Sequence, residues 1–311
     1  MIEVENLSKR FVVRRGRFRR ERIVVDAVKD ISFRVDRGEL LGYLGPNGAG
    51  KSTTIKMLTG ILVPSSGHIS VAGLDPSRRR IELAKRVGAM FGQRVQLWWD
   101  LPLIDSFELL RYIYKVPAER YRTSLARFRD VLDLDSFLHT PVRQLSLGQR
   151  IRGELTASML HEPELLFLDE PTIGLDVVAK QRVRDFLVEI NRERGVTVLL
   201  TTHDLGDIER LCKRLLVIDR GSLIWDGGIA ELRERYGGER TLIVDLEEPA
   251  PPLHIDGAVV EKVDGPRQWL RFRGPAAELT ARVASSARLV DLQIAEPDIE
   301  EIVRRIYLAG T

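Results

Sequence analysis

The chain has 311 residues, 44% of them hydrophobic and 30% charged, a balance that supports a packed core and excludes wholesale disorder or a collagen-like repeat. A single cysteine, Cys212, rules out an intrachain disulfide and a tetrathiolate metal site and points to a reducing compartment. Lys+Arg 48 against Asp+Glu 45 leaves a net charge of only +3, too little to indicate nucleic acid.

Met1 to Asn6 carries Glu3 and Glu5 where a secretory leader needs a basic and then an apolar stretch, so the cytosol is the expected compartment. An opening strand is followed by Ser8-Lys9-Arg10-Phe11. Six arginines then fall between Arg14 and Arg22, with Phe18 among them. They read either as a solvated loop, an insertion in the pattern, or as a patch drawn to anionic lipid. Glu39 to Leu44 reads as a strand and Thr53 to Thr59 as a helix. Alternation of strands with helices to about Asp226 predicts an α/β domain on a largely parallel sheet. The longest apolar runs, such as Val196 to Leu200, are strand-sized and far short of the ~20 residues that cross a bilayer.

Breaker-rich sequence at Gly237-Gly238 and Pro249-Ala250-Pro251-Pro252 places a boundary near residue 230. Beyond it Thr241 to Leu246, Ala258 to Val263, Trp269 to Phe272 and Leu289 to Ile294 read as strands, and Pro275 to Ser285 as a helix. Pro297-Asp298-Ile299-Glu300 starts a last helix, with proline and acids in its first turn. The expected organisation is one domain over 1–229 and a small α+β domain over 230–311.

The strongest chemical signal is Gly45-Pro46-Asn47-Gly48-Ala49-Gly50-Lys51-Ser52-Thr53, which fits G-x-x-x-x-G-K-[ST] between a strand and a helix. Glycines let successive backbone N–H groups curl around phosphates, and the helix N-terminus adds positive potential. Lys51 is then assigned to the β- and γ-phosphates and the Ser52 hydroxyl to Mg²⁺. Leu165 to Leu168 is an apolar strand ending in Asp169 and Glu170. Asp169 is assigned to Mg²⁺ through water and Glu170 to polarising an attacking water, although acids at strand ends also serve as plain caps of the next turn. Leu145-Ser146-Leu147-Gly148-Gln149 precedes a further helix, where a serine equally suits a simple N-cap.

Together these residues resemble the ATP-binding subunits of ABC transporters. Leu145 to Gln149 is similar to the family's signature LSGGQ, with Leu147 where the first glycine stands; a leucine resists positive φ and crowds the phosphate side. Order and spacing carry the likeness, with 42 residues from Lys51 to Gln93, 95 from Lys51 to Ser146, 23 from Ser146 to Asp169 and 33 from Glu170 to His203. The resemblance implies a P-loop NTPase fold of ABC type, with a helical subdomain over about 94–160, that binds ATP and Mg²⁺. It implies an adenine platform at Phe11 and a phosphate cradle running from Gly45 to Thr53. Gln93 takes the place of the Q-loop glutamine, touching Mg²⁺ and water, Ser146 and Gly148 those of the signature residues that touch the γ-phosphate, and Gln149 that of a further nucleotide-binding residue. Glu170 becomes the base, His203 the switch histidine that positions it, and Asp176 in Gly174-Leu175-Asp176 the D-loop residue that crosses to a partner.

One P-loop and one signature per chain lie on opposite faces in this family, which implies a head-to-tail homodimer, or a pair with a related ATPase subunit. Directly after Gln93, Arg94 to Pro102 contains Trp98-Trp99, read either as core filling or as the anchor for a cytoplasmic helix of an integral membrane permease. The implied function is the ATP-hydrolysing motor of an exporter-type ABC transporter, peripheral on the inner face of the cell membrane. A soluble ABC ATPase acting on ribosomes or DNA is the alternative. Against it, the chain has neither a second ATPase unit nor a long coiled coil between P-loop and signature, and nucleic acid is not expected as a partner.

Overall fold

The structure, a computed structural model, describes residues 1–15, 21–92, 95–202, 204–295 and 299–309. They form two compact units, Met1–Gly227 and Gly228–Thr311.

In chain order the first unit contains β1 (Ile2–Arg15), β2 (Glu21–Val35), β3 (Leu40–Leu44), α1 (Lys51–Leu58), β4 (Ser66–Val71), α2 (Arg80–Ala84), β5 (Val87–Phe91) and α3 (Leu103–Tyr114). It continues with α4 (Ala118–Val131), α5 (Leu147–Met159), β6 (Leu165–Asp169), α6 (Val177–Arg194), β7 (Thr197–Thr201), α7 (Leu205–Leu211), β8 (Arg214–Asp219) and β9 (Ser222–Gly228). Six strands lie in the order β5-β6-β7-β3-β8-β9, and the pairs from β5 to β8 are parallel. β3 and β7 are buried along their whole length and β6 through Leu168. Continuous apolar runs of this kind belong to a sheet covered on both faces. Because β6, β7 and β3 are neighbours and parallel, the segments that follow Asp169, Thr201 and Leu44 all leave from one edge of the sheet.

A second sheet, β2-β1-β4, is antiparallel. Its Ile2, Val4, Ile31 and Phe33 share one core with Ile55, Met57 and Leu58 of α1 and with Tyr43, Phe167 and Ile218 of the parallel sheet. The arginine stretch read as a loop partly extends this ribbon instead, with Arg14 opposite Arg22 and Arg15 opposite Glu21. The β-branched pair Val12–Val24 carries the pairing outward, with Val13 opposite Ile23 in the register. Arg17, Phe18, Arg19 and Arg20 lie outside the described residues.

The second unit contains α8 (Ile229–Tyr236), β10 (Arg240–Leu246), β11 (Ala258–Asp264), β12 (Arg267–Phe272), α9 (Ala276–Ser286), β13 (Leu289–Ala295) and α10 (Ile299–Ala309). Its four strands form an antiparallel sheet, β11-β12-β10-β13. Leu242, Val244 and Leu246 alternate onto the face that packs on Leu279 and Val283 of α9. Ile299, Ile302, Val303 and Ile306 make the buried stripe of α10. β12 begins two residues before Trp269 because Arg267 and Gln268 pair with Asp245 and Val244. Pro297 and Asp298 lie outside the described residues. Among the described residues no helix is long and apolar enough to cross a membrane.

Candidate active site

The segment between β3 and α1 is built for close backbone approach. Gly50 sits at φ 111°, and a Cβ there would lie 2.4 Å from the Ala27 carbonyl oxygen of β2, so only glycine fits. No side chain caps α1, and its first turn carries no acid. Its leading N–H groups are therefore left for an external acceptor, as an anion site requires. The Lys51 ammonium donates to the Gly45 carbonyl and, at 3.1 Å, to that of Pro46. Burial lowers its pKa, opposed by the carboxylates of Glu170 and Asp169.

Asp169, at the end of β6, is held from two sides. Its Oδ1 accepts from the Thr201 hydroxyl at 2.5 Å and its Oδ2 from the Ser52 hydroxyl at 3.3 Å. The Asp169 carbonyl also accepts from the Gly92 N–H at 3.2 Å, so the segment leaving β5 starts beside it. Glu170 adopts the left-handed region, φ 59°, with its N–H on the Thr201 carbonyl at 2.9 Å. A non-glycine residue there costs about 1 kcal/mol, strain of a kind that concentrates at functional sites.

These groups line one cleft of about 720 Å³, with Pro46, Gly48, Gly50, Lys51, Ser52 and Thr53 on one side and Asp169, Glu170 and Ile173 on another. The donor set is hard oxygen, suited to Mg²⁺. Among the described residues no cluster of three His, Cys, Asp or Glu exists to hold a metal alone, so phosphate and water oxygens would complete a shell begun by Ser52 and Asp169. The residues therefore fit a magnesium–nucleotide and not a stand-alone metal centre.

The signature segment borders the same cleft. Leu147 and Arg150 of α5 line it together with the P-loop, so the first turn of this helix does not lie wholly on the opposite face. Ser146, Gly148 and Gln149 are not in the lining. Ser146 is the N-cap of α5, and a reciprocal pair closes the turn: Gln149 N–H to Ser146 Oγ at 3.2 Å and Ser146 N–H to Gln149 Oε1 at 2.9 Å. Leu147 lies over Gly174, where a Cβ would come within 2.2 Å of its Cδ2. Asp176 caps α6 by accepting from the Ala179 N–H at 2.8 Å. Phe11 lies opposite Val25 on the β1–β2 ribbon with the Lys9 ammonium 5.2 Å from its ring centre, and it is absent from the lining, where Ala27 represents the ribbon. Trp98 and Trp99 are 38% and 49% exposed, which excludes core filling. Gln93 and His203 lie outside the described residues.

The family model described as ABC transporter matches residues 28–173. The Daunorubicin resistance ATP-binding protein DrrA3 of Streptomyces coeruleorubidus is 38% identical over 70% of this chain and 68% of its own. The chain belongs to the ATP-binding family of ABC transporters. A longer relative, the Escherichia coli (strain K12) protein named "Probable multidrug ABC transporter ATP-binding protein YbhF", is 34% identical over 81% of this chain. The ABC chain spans only 40% of YbhF's length. Among solved structures, one described as the ATP binding subunit of an ABC transporter superposes with a TM-score of 0.66 at 28% identity, covering 76% of this chain and 93% of that one.

Several residues of this ABC chain that shape the site carry no motif signal. Thr201 fixes Asp169 only because β7 adjoins β6. Fully buried Asp207 of α7 receives the Arg184 guanidinium of α6 and the Thr172 hydroxyl, while Asp204 caps α7 and takes the Lys180 ammonium. Glu154, two turns into α5, is a buried carboxyl in a helix that reads as ordinary.

Proposed function

We propose that this chain is the ATP-hydrolysing motor of an exporter-type ABC transporter, peripheral on the inner membrane face, dimerising on ATP and driving separately encoded permease subunits. The observation that carries the reading is the single cleft joining an uncapped, glycine-built helix N-terminus to Lys51, Ser52, Asp169 and Glu170. The glycine-rich turn and the α1 N–H groups bind the phosphates, and Lys51 exchanges the Gly45 and Pro46 carbonyls for β- and γ-phosphate oxygens. Ser52 and Asp169 hold Mg²⁺, with Gln93 as a further ligand. When bound, the ion neutralises charge on the phosphoryl oxygens. Glu170, fixed in its left-handed conformation, accepts the proton of an in-line water, and His203 positions it. Phe11 stacks on the base.

Ser146, Gly148 and Gln149, which do not line the chain's own cleft, are left to meet the phosphates bound by a second copy, with Asp176 crossing alongside. The exposed Trp98 and Trp99 suit an anchor for the permease between Gln93 and Pro102. The test is turnover and light scattering of the full chain with Mg-ATP. Glu170→Gln is expected to lose about 10²-fold or more in turnover and to accumulate as an ATP-bound dimer, and Lys51→Ala to lose ATP binding. Unchanged turnover in Glu170→Gln overturns the reading.

A further inference from the structure

Glu154 is buried, 6% exposed, and takes no part in the chemistry described above. Its Oε1 accepts from two consecutive backbone donors, the N–H of Gln96 at 3.0 Å and that of Leu97 at 3.4 Å. The Gln96 side-chain amide answers by donating to the Glu154 carbonyl at 3.2 Å. One turn of α5 is thus clasped to the segment that begins just after Gln93. Packing reinforces it, since a Cβ on the neighbouring Gly153 would fall 3.3 Å from Leu97 Cδ1 and 2.9 Å from Leu103 Cδ1.

α5 begins at the signature serine, and the clasped segment runs on to Trp98, whose N–H donates to the Ser106 hydroxyl at 3.1 Å. We propose that Glu154 is a positioning residue of the nucleotide site, pinning the segment after Gln93 to the signature helix so that the two move as one body. The inference deepens the ATPase reading of the cleft and rests on it. An ordinary apolar residue at this helix position would fill space but leave the N–H groups of half-buried Gln96 and buried Leu97 without this acceptor, at a cost in desolvation. A carboxylate satisfies both and strengthens as it ionises.

Burial pushes the Glu154 carboxyl up to about 7, against the two N–H donors and the Arg150 guanidinium one turn away, which pull it down. The clasp therefore tightens across the neutral range. The other ionisable groups around it are Arg80 of α2 and Tyr114 of α3, which line the same cavity, and His161, stacked on Tyr114 at 4.0 Å. Burial raises Tyr114 and lowers His161, so both are neutral near pH 7. Of Glu154, Tyr114 and His161, it is Glu154 that changes charge there. Arg94 lies outside the described residues.

The test uses the full chain, with hydrogen exchange of the peptide spanning residues 95–101 and kcat and KM for Mg-ATP from pH 5.5 to 8.5, for wild type, Glu154→Gln and Glu154→Leu. Glu154→Leu is expected to speed exchange at Gln96 and Leu97 by roughly tenfold or more, the loss of bonds to a charged acceptor. It lowers kcat while KM for Mg-ATP changes little. Wild-type kcat rises through a step near pH 7 that Glu154→Gln, which keeps an acceptor but cannot ionise, lacks while retaining most of the exchange protection. A Glu154→Gln profile that superposes on wild type, or unchanged exchange at Gln96 and Leu97 in Glu154→Leu, overturns the proposal. Should Glu154→Leu fail to fold, the Glu154→Gln profile decides alone. If no variant hydrolyses ATP, the ATPase reading fails, and exchange that also loses its dependence on Glu154 is what sinks the clasp.

Discussion

At the scale of single residues, the site depends on side chains whose partners come from neighbouring strands. Asp169 is oriented because Thr201 and Ser52 approach its two oxygens from β7 and from α1, and Glu170 keeps a left-handed backbone because Thr201 also takes its N–H. Glu154 carries a measurable cost of the same kind. Its carboxyl, ordinarily near 4.5, is pushed up to about 7 by burial, so the folded chain binds a proton that the unfolded chain releases. That contribution is fully present below about pH 4.5 and is lost as pH rises through 7, a loss of about 3 kcal/mol in all. Denaturant unfolding of wild type relative to Glu154→Gln is therefore expected to show wild type losing stability from pH 5 to 8; a difference that stays flat with pH refutes the burial argument. Lys51, Ser52, Asp169 and Glu170 were legible from sequence because their motifs are local and their spacing is fixed by strand–turn–helix geometry. Thr201, Asp207 and Glu154 were not, because a threonine, an aspartate or a glutamate acquires its role only from what the fold packs beside it.

At the scale of elements, strand and helix periodicity gave away the alternating α/β pattern, and buried runs such as Leu165 to Leu168 marked the central strands. The course of the arginine stretch was harder to read, since the pairing that draws Arg14 and Arg15 into β1 is decided by β2 across the ribbon and not by local propensity. The position of α5 was harder still. Leu147 breaks the family signature, and the structure shows where its side chain goes: onto Gly174, in the turn that follows Glu170. Gly174 also adopts φ 67°, so Gly174→Ala suffers both a backbone penalty and a collision. Leu147→Gly removes the colliding atoms but not the φ requirement. A double-mutant cycle on unfolding free energy should then show Leu147→Gly rescuing part of the Gly174→Ala defect, with a coupling of at least about 0.5 kcal/mol. Strict additivity would mean that α5 and the turn do not touch.

At the scale of the whole molecule, every residue of the cleft, the P-loop and α5 belongs to Met1–Gly227. Among the described residues, one core of that unit draws on residues from Ile2 to Ile218, and one of the second on residues from Leu242 to Val283. Compact units that each hold a core of their own are expected to form independently. Breakers near residue 230 predict a division there, but no motif in the remainder indicates a purpose, because packing alone accounts for its alternating Leu242, Val244 and Leu246 and for the stripe on α10. A chain ended at Gly228, the last residue of β9, should therefore fold and bind Mg-ATP within about threefold of the full chain, a change below 1 kcal/mol. Titration of both forms by calorimetry, beside their thermal unfolding, measures this directly. Loss of binding with folding intact would mean that the second unit acts on the nucleotide site, and loss of folding would mean that the first core is incomplete without it.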